Sequence, residues 1–495
     1  MTEQRFPAGP EPRVRVGRVR GDLEVVVWDE DSILVRADGR VRELSQEDGE
    51  LRIDGADGDL ELRLPARAAL SVAQAEGDLA AAGLRHLELD RVAGDVRAAG
   101  LDELHLTGRV SGDLQLEASG ALSGRGRVDG DVHLEDVPQA ALAQVGGDLD
   151  SSGVATLSAE EIGGDLRIEG LADRFTASAV GGDVRIEAVS GAAVAIGTVG
   201  GDLSTSGGPL SSVQIGTIGG DAKLEDGCER LNLGQVGGDL TLQGVGDATL
   251  GNIGGDLEAD GATGRVAVSA VAGDAEIRAF TGDLDLGRVG GDLELRGAFA
   301  QALRARARVG GDAEVALVGQ PSLTISALVS GEVRGASSAG GDGRKRVHLR
   351  YGAGEATLEL TVGGDLRIAG ARPTSSSSSS GDEAGLGAEF GADWAEFGRE
   401  MGELGRELGR LGREIGDEIA AALAKEGVQS GGAWGEQAAR KMEAAARKME
   451  EQARRLEERT GKADEQRRMR IRINEREWQL DPERLERIKE QARRA

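Results

Sequence analysis

The sequence predicts a mainly β chain: a long parallel β-solenoid of about 18 residues per coil, then a C-terminal helical hairpin and a small β-hairpin with a terminal helix. Three observations predict it. Gly-Asp recurs with Asp at positions 59, 78, 95, 113, 131, 148, 165, 183, 202, 221, 239, 256, 274, 292 and 312, a period of about 17 to 20 residues. Apolar residues alternate after each Asp, as strands with one buried face require. Aromatic residues make up only 2% of the 495 residues while Gly reaches 79, which favours a thin aliphatic core over an ordinary globular one.

One stretch shows the unit. In "IGGDLEADGATGRVAVSAVAGDAEI" the inward set is Leu257 and Ala259 after the corner, Val266 and Val268 in mid-repeat, and Val271 before the next corner. Two short strands and no helical segment cannot bury these residues alone, so neighbouring coils must stack. From about residue 75 to 370 the period gives on the order of 16 coils, and strand spacing then gives a rod of roughly 75 to 80 Å.

The organisation read from the chain is a disordered start over 1–12, an N-terminal β cap with the first coils over 13–74, and the repeat array over 75–372. "RVRVGRVRGDLEVVVWDEDSILVRADGRV", with Trp28, has longer alternating strands suited to covering the open end of a stack. Near the far end Glu332 replaces the corner Asp, and Gly335 to Arg346 reads as a polar, locally basic loop that loop insertion alone accounts for.

At the corner, Gly-Gly is expected to supply positive φ and to avoid a Cβ clash with the next coil, while the Asp carboxylate accepts turn N–H groups. Asp148, Asp165, Asp183, Asp202, Asp221, Asp239 and Asp256 would then form a ladder about 4.8 Å apart. Coulomb's law gives a repulsion per neighbouring pair of about 3.5 kcal/mol at a dielectric near 20 and about 0.9 in water. Backbone N–H donors and solvent offset it; a cation ladder is the weaker reading, because calcium takes six to eight oxygens and each coil guarantees one carboxylate.

"VRGDLEVVVWDEDSILVRADG" followed by many "VGGDL" units resembles the bacterial β-strand-repeat proteins described as adhesin-like, over roughly residues 13 to 370. That resemblance implies a β-solenoid and carries no catalytic residues. The Gly-Asp coils are also similar to bactofilins, which implies a filament-forming alternative.

"ARPTSSSSSSGDEAG" breaks the pattern, and 373–386 reads as a Ser/Gly-rich linker. Two amphipathic helices are expected over 387–463, as a hairpin or a coiled coil. Phe397, Met401, Leu404, Leu408, Leu411 and Ile415 follow heptad spacing and form the candidate self-association stripe. A second stripe, Gly398, Gly402, Gly405, Gly409, Gly412 and Gly416, weakens an isolated helix by roughly 6 kcal/mol, so packing against a partner must compensate. Ala438, Met442, Ala445, Met449 and Leu456 supply that partner face, within the chain or in another copy. Over 464–495, "RMRIRINEREWQL" suggests a hairpin, and Asp481 with Pro482 starts a last helix.

The net charge of −28, about −25 of it before residue 381, excludes nucleic acid as the partner of the main body. Mixed charges on the first helix disfavour a membrane-surface contact. Cys228 is alone and no apolar leader or spanning segment is read, which points to the cytoplasm. His86, His105, His133 and His348 fall at outward positions, neither clustered nor in register by period counting, so no metal site is expected; no cofactor or catalytic residue is expected either. The functional expectation is a non-catalytic acidic scaffold whose C-terminal helices bind a protein partner or another copy. An adhesin-like envelope role and a bactofilin-like filament are the alternatives.

Overall fold

A computed structural model describes residues 2–47, 49–299, 302–335 and 345–380 of the chain. The chain divides into two units, Met1–Ala420 and Ala421–Ala495, and every described residue belongs to the first. The expected helices, the final hairpin and the whole stripe from Phe397 to Ile415 lie outside the described residues.

Why this sequence winds is visible in one coil. Strand Thr156–Ile162 turns Leu157, Ala159 and Ile162 inward, with two successive exposed residues, Glu160 and Glu161, before Ile162. A strict two-residue alternation cannot place two neighbours outward, so the strand bends there. The Gly163-Gly164-Asp165 corner follows, and strand Leu166–Leu171 returns Leu166, Ile168 and Leu171 to the interior. Each inward residue stacks on its equivalents: Leu157 pairs in register with Phe175, which pairs with Val194.

The result is a parallel β-solenoid with two sheets, one of long strands such as Ala69–Ala75 and one of short strands such as Leu79–Ala82. About 14 turns, roughly 18 residues apart, follow in sequence order from Ala69 to Leu317. The 16 counted from the period over 75–370 includes two further coils, Leu323–Arg334 and Ala356–Ala369, which are present but depart from sequence order. Coil Ala356–Ala369 lies between coil Arg304–Leu317 and coil Leu323–Arg334. The N-terminal end does the same: coil Arg13–Trp28 lies between coil Glu50–Pro65 and coil Ala69–Ala82.

Antiparallel strands finish both ends. Ser32–Ala37 pairs with Leu60–Pro65, Thr2–Pro7 pairs with Ser32–Ala37, and Val41–Glu47 pairs with Glu50–Ala56. Trp28 anchors this end by donating its indole N–H to the Ser32 carbonyl at 2.7 Å, with the Arg5 guanidinium 5.2 Å from its ring centroid. At the other end Lys345–Tyr351 pairs antiparallel with Leu323–Val329, and Ser375–Ser380 pairs antiparallel with it in turn. Lys345 and Arg346, read from composition as loop, are therefore strand. So is the backbone of the serine run, because ladder hydrogen bonds need no apolar side chain.

Of the two reasons expected for the corner glycines, only the avoided Cβ clash holds. Among the described residues, no Gly-Gly pair that precedes a corner Asp has positive φ. A Cβ on the second Gly would collide with the Asp carboxylate of the neighbouring coil, as at Gly164 with Asp148, and one on the first with a backbone carbonyl, as at Gly163 with Gly146. Close approach alone demands glycine here. Positive φ belongs to the opposite corner, where Gly244, Gly261 and then Ala279 (φ 49°) form one N–H ladder. Ala in this region is strained and Gly is not. Ala279→Gly is expected to raise stability by about 0.5 to 1 kcal/mol, measured by denaturant titration.

The core also contains misfits. Thr205 sits in the inward column between Ile186 and Leu224, is 1% exposed, and its hydroxyl has no partner. Ser151 repeats the pattern, and the buried phenol of Tyr351 is likewise unpartnered, its ionisation pushed up by burial. A buried hydroxyl without a partner costs its desolvation. Thr205→Val is expected to stabilise the chain by about 1 kcal/mol, read as an upward shift in melting temperature.

Candidate functional site

The candidate site is the acidic corner and the groove beside it. Each corner carboxylate accepts, through one oxygen, the backbone N–H of the corner residue in the next coil. Asp165 N donates to Asp148 Oδ1 at 2.8 Å, Asp183 N to Asp165 at 2.8 Å, and Asp202 N to Asp183 at 2.9 Å. The series continues through Asp221, Asp239 and Asp256 at 2.8 Å each. All seven singled-out aspartates thus share one corner, and all are exposed. The rungs record the coil order: Asp59, Asp22, Asp78 at one end and Asp312, Asp365, Glu332 at the other. Glu332 is the last rung by its backbone N–H alone, which is why the corner Asp can be replaced there.

The repulsion within the ladder is met by these N–H donors, a charge-assisted bond on every rung, and by water on the exposed side. Local cations help at a few rungs: Arg97 lies 3.1 Å from Asp95 and 3.9 Å from Asp78. Among the described residues no three His, Cys, Asp or Glu side chains are placed to hold one metal ion.

An open groove of about 630 Å³ runs along the rungs from Asp148 to Asp239. Its other wall is the outward row of the short sheet, where Asp150, Arg167, Arg185, Ser204, Lys223 and Thr241 follow one another in register. Positive groups thus face the carboxylates at three of six places. Sequence reading found the aspartates but missed this row. Its signal is the residue two after each Asp, and it carries no repeating type to mark it. Beyond the groove the same row turns acidic: Glu258, Glu276, Glu294 and Glu314 are in register beside Asp256, Asp274, Asp292 and Asp312.

Two of the histidines meet although, as expected, they are not in register. His86 and His105 lie on adjacent coils with stacked rings, centroids 6.5 Å apart, contrary to the expectation that the histidines are unclustered. They are two register places apart on the outward face, His86 opposite Glu103 and His105 opposite Glu88, so comparing residues one period apart misses this diagonal contact. Glu103 joins them: His86 Nδ1 is 3.4 Å from its carboxylate, Ser123 donates to it at 2.7 Å, and His105 Nδ1 lies 2.9 Å from the Ser123 hydroxyl. His133 is exposed, and so is His348, 3.2 Å from the Ser326 hydroxyl.

Among the described residues, three carboxyls are held below the usual carboxylate range. Glu103 is lowered first by the Ser123 hydroxyl and then by the two imidazoles, Glu61 first by Arg63 and then by Arg36, and Asp285 first by Arg306. A lowered folded value means these groups stabilise the fold fully above the unfolded carboxyl range, near 4 to 4.5, and lose that contribution as pH falls through the folded values. Melting temperature is therefore expected to fall with pH below about 4, and Glu103→Gln to flatten part of that fall. Burial pushes the Cys228 thiol up, so this 2% exposed cysteine is a poor nucleophile and behaves as a small core residue.

No protein-family model matches the chain, and no curated protein matches it in sequence.

Proposed function

We propose that the chain is a non-catalytic structural scaffold: a stiff acidic β-solenoid that spaces or presents a C-terminal region through which it binds a protein partner or another copy. The observation that carries this reading is the continuous series of parallel pairs from Ala69 to Leu317, with one carboxylate per coil at a fixed corner. Such a stack supplies length and stiffness, and repetition supplies many equivalent contacts. A buried, unreactive Cys228 suits a reducing compartment, in keeping with a cytoplasmic protein. Filament growth by end-to-end stacking is the weaker reading, since antiparallel strands cover the long-strand sheet at both ends.

Light scattering coupled to size-exclusion chromatography tests the self-association part. The wild-type chain is expected to elute as an oligomer, and Leu404→Glu combined with Leu411→Glu to return it to the monomer. A wild-type chain that stays monomeric at high concentration would leave only the partner-docking form of the proposal.

A further inference from the structure

We propose that the out-of-order coils lock both ends of the solenoid, so that neither end frays one coil at a time. In a stack wound strictly in sequence, the last coil touches one neighbour and peels first. Here the parallel coil nearest each chain end is paired on both sides. In coil Ala356–Ala369, Leu358 is in register with Ala305 on one side and with Ile325 on the other. In coil Arg13–Trp28, Val16 is in register with Ile53 and with Val72. All six of these side chains are buried.

The corner bonds repeat the arrangement. Asp365 N donates to Asp312 and its carboxylate accepts from Glu332; Asp22 N donates to Asp59 and its carboxylate accepts from Asp78. Removing either inserted coil therefore breaks two coil interfaces and two rungs. The spatially outermost coils are held as well. Glu50–Pro65 is covered by antiparallel strands on both sheets, and Leu323–Val329 is paired on its outer side with Lys345–Tyr351. The same device occurs at both ends, in keeping with a common mechanical task. It makes the end coils part of the cooperative core and leaves no parallel edge on the long-strand sheet for another copy to extend.

Hydrogen exchange read by mass spectrometry on the full chain tests this. Peptides covering 14–19 and 357–362 are expected to exchange within about tenfold of those covering 248–253, whereas fraying ends would exchange faster by about a hundredfold or more. A second measurement keeps the test independent of that comparison. Leu358→Asp is expected to speed exchange in both 304–309 and 323–329 while 194–199 stays unchanged. Faster exchange in 323–329 with 304–309 unaffected would overturn the proposal, as would a steady loss of protection toward each end of the wild-type chain.

Discussion

Gly238→Ala is expected to lower stability by about 3 kcal/mol or more, a large effect for the addition of one methyl group. A Cβ at this position would collide with Asp221 Oδ1 and stand 3.0 Å from Asp221 Cγ and 3.1 Å from the Gly220 carbonyl carbon. The carboxylate is not a flexible end free to move, because it accepts the Asp239 N–H at 2.8 Å. Making room for the methyl breaks that rung or separates two coils, and coil separation is felt by every inward column. Gly9 is the control: nothing lies within 4 Å of a Cβ there, and Gly9→Ala is expected to change stability by less than about 0.5 kcal/mol. Urea denaturation of the two variants checks both statements.

The second large effect separates the two roles of a corner aspartate. Asp202 Oδ1 accepts the Asp221 N–H at 2.8 Å, while its charge faces Asp183 and Asp221 one coil away on either side. Asn keeps the acceptor and removes the charge; Ala removes both. Repulsion of about 0.9 kcal/mol per neighbour in water sets the scale for an exposed corner. Asp202→Asn is therefore expected to stabilise by about 1 kcal/mol, an effect that shrinks as salt is added. Asp202→Ala is expected to fall about 1 to 3 kcal/mol below the Asn variant, because the Asp221 N–H loses its partner. If Asn and Ala proved equal, the corner carboxylate would have no role as an acceptor.

Much of the fold was legible because each coil repeats a physical constraint. Alternation after Asp gave the short strands, and the Gly-Asp period gave the stack and the shared corner of Asp148 through Asp256. What was hidden is non-local. Coil order at the ends depends on whether the segment at 356–369 pairs with 304–317 or follows 323–334, and both options satisfy the same pattern of inward residues. Of the two reasons read for Gly-Gly, the avoided clash between coils holds and positive φ does not, because a glycine of either kind looks the same in sequence. The His86 and His105 contact was missed because the two are diagonal neighbours, two register places apart, and a period count compares only residues in register. Of the candidate site, the acid rungs were readable as a column, whereas the facing row with Arg167, Arg185 and Lys223 appears only once the register is known.

The account rests on coils stacking in register, and a distance measurement reaches that claim most directly. Gln144 is in register with Glu161, Ala179, Thr198, Thr217, Gln235, Asn252 and Ala270 on successive coils. Spin labels at Gln144 and Thr198, and separately at Gln144 and Ala270, in a chain carrying Cys228→Ala, are expected to lie about 14 Å and about 34 Å apart by pulsed electron resonance, one strand spacing per coil. Separations that do not grow by about 5 Å for each added coil would contradict the stacked solenoid.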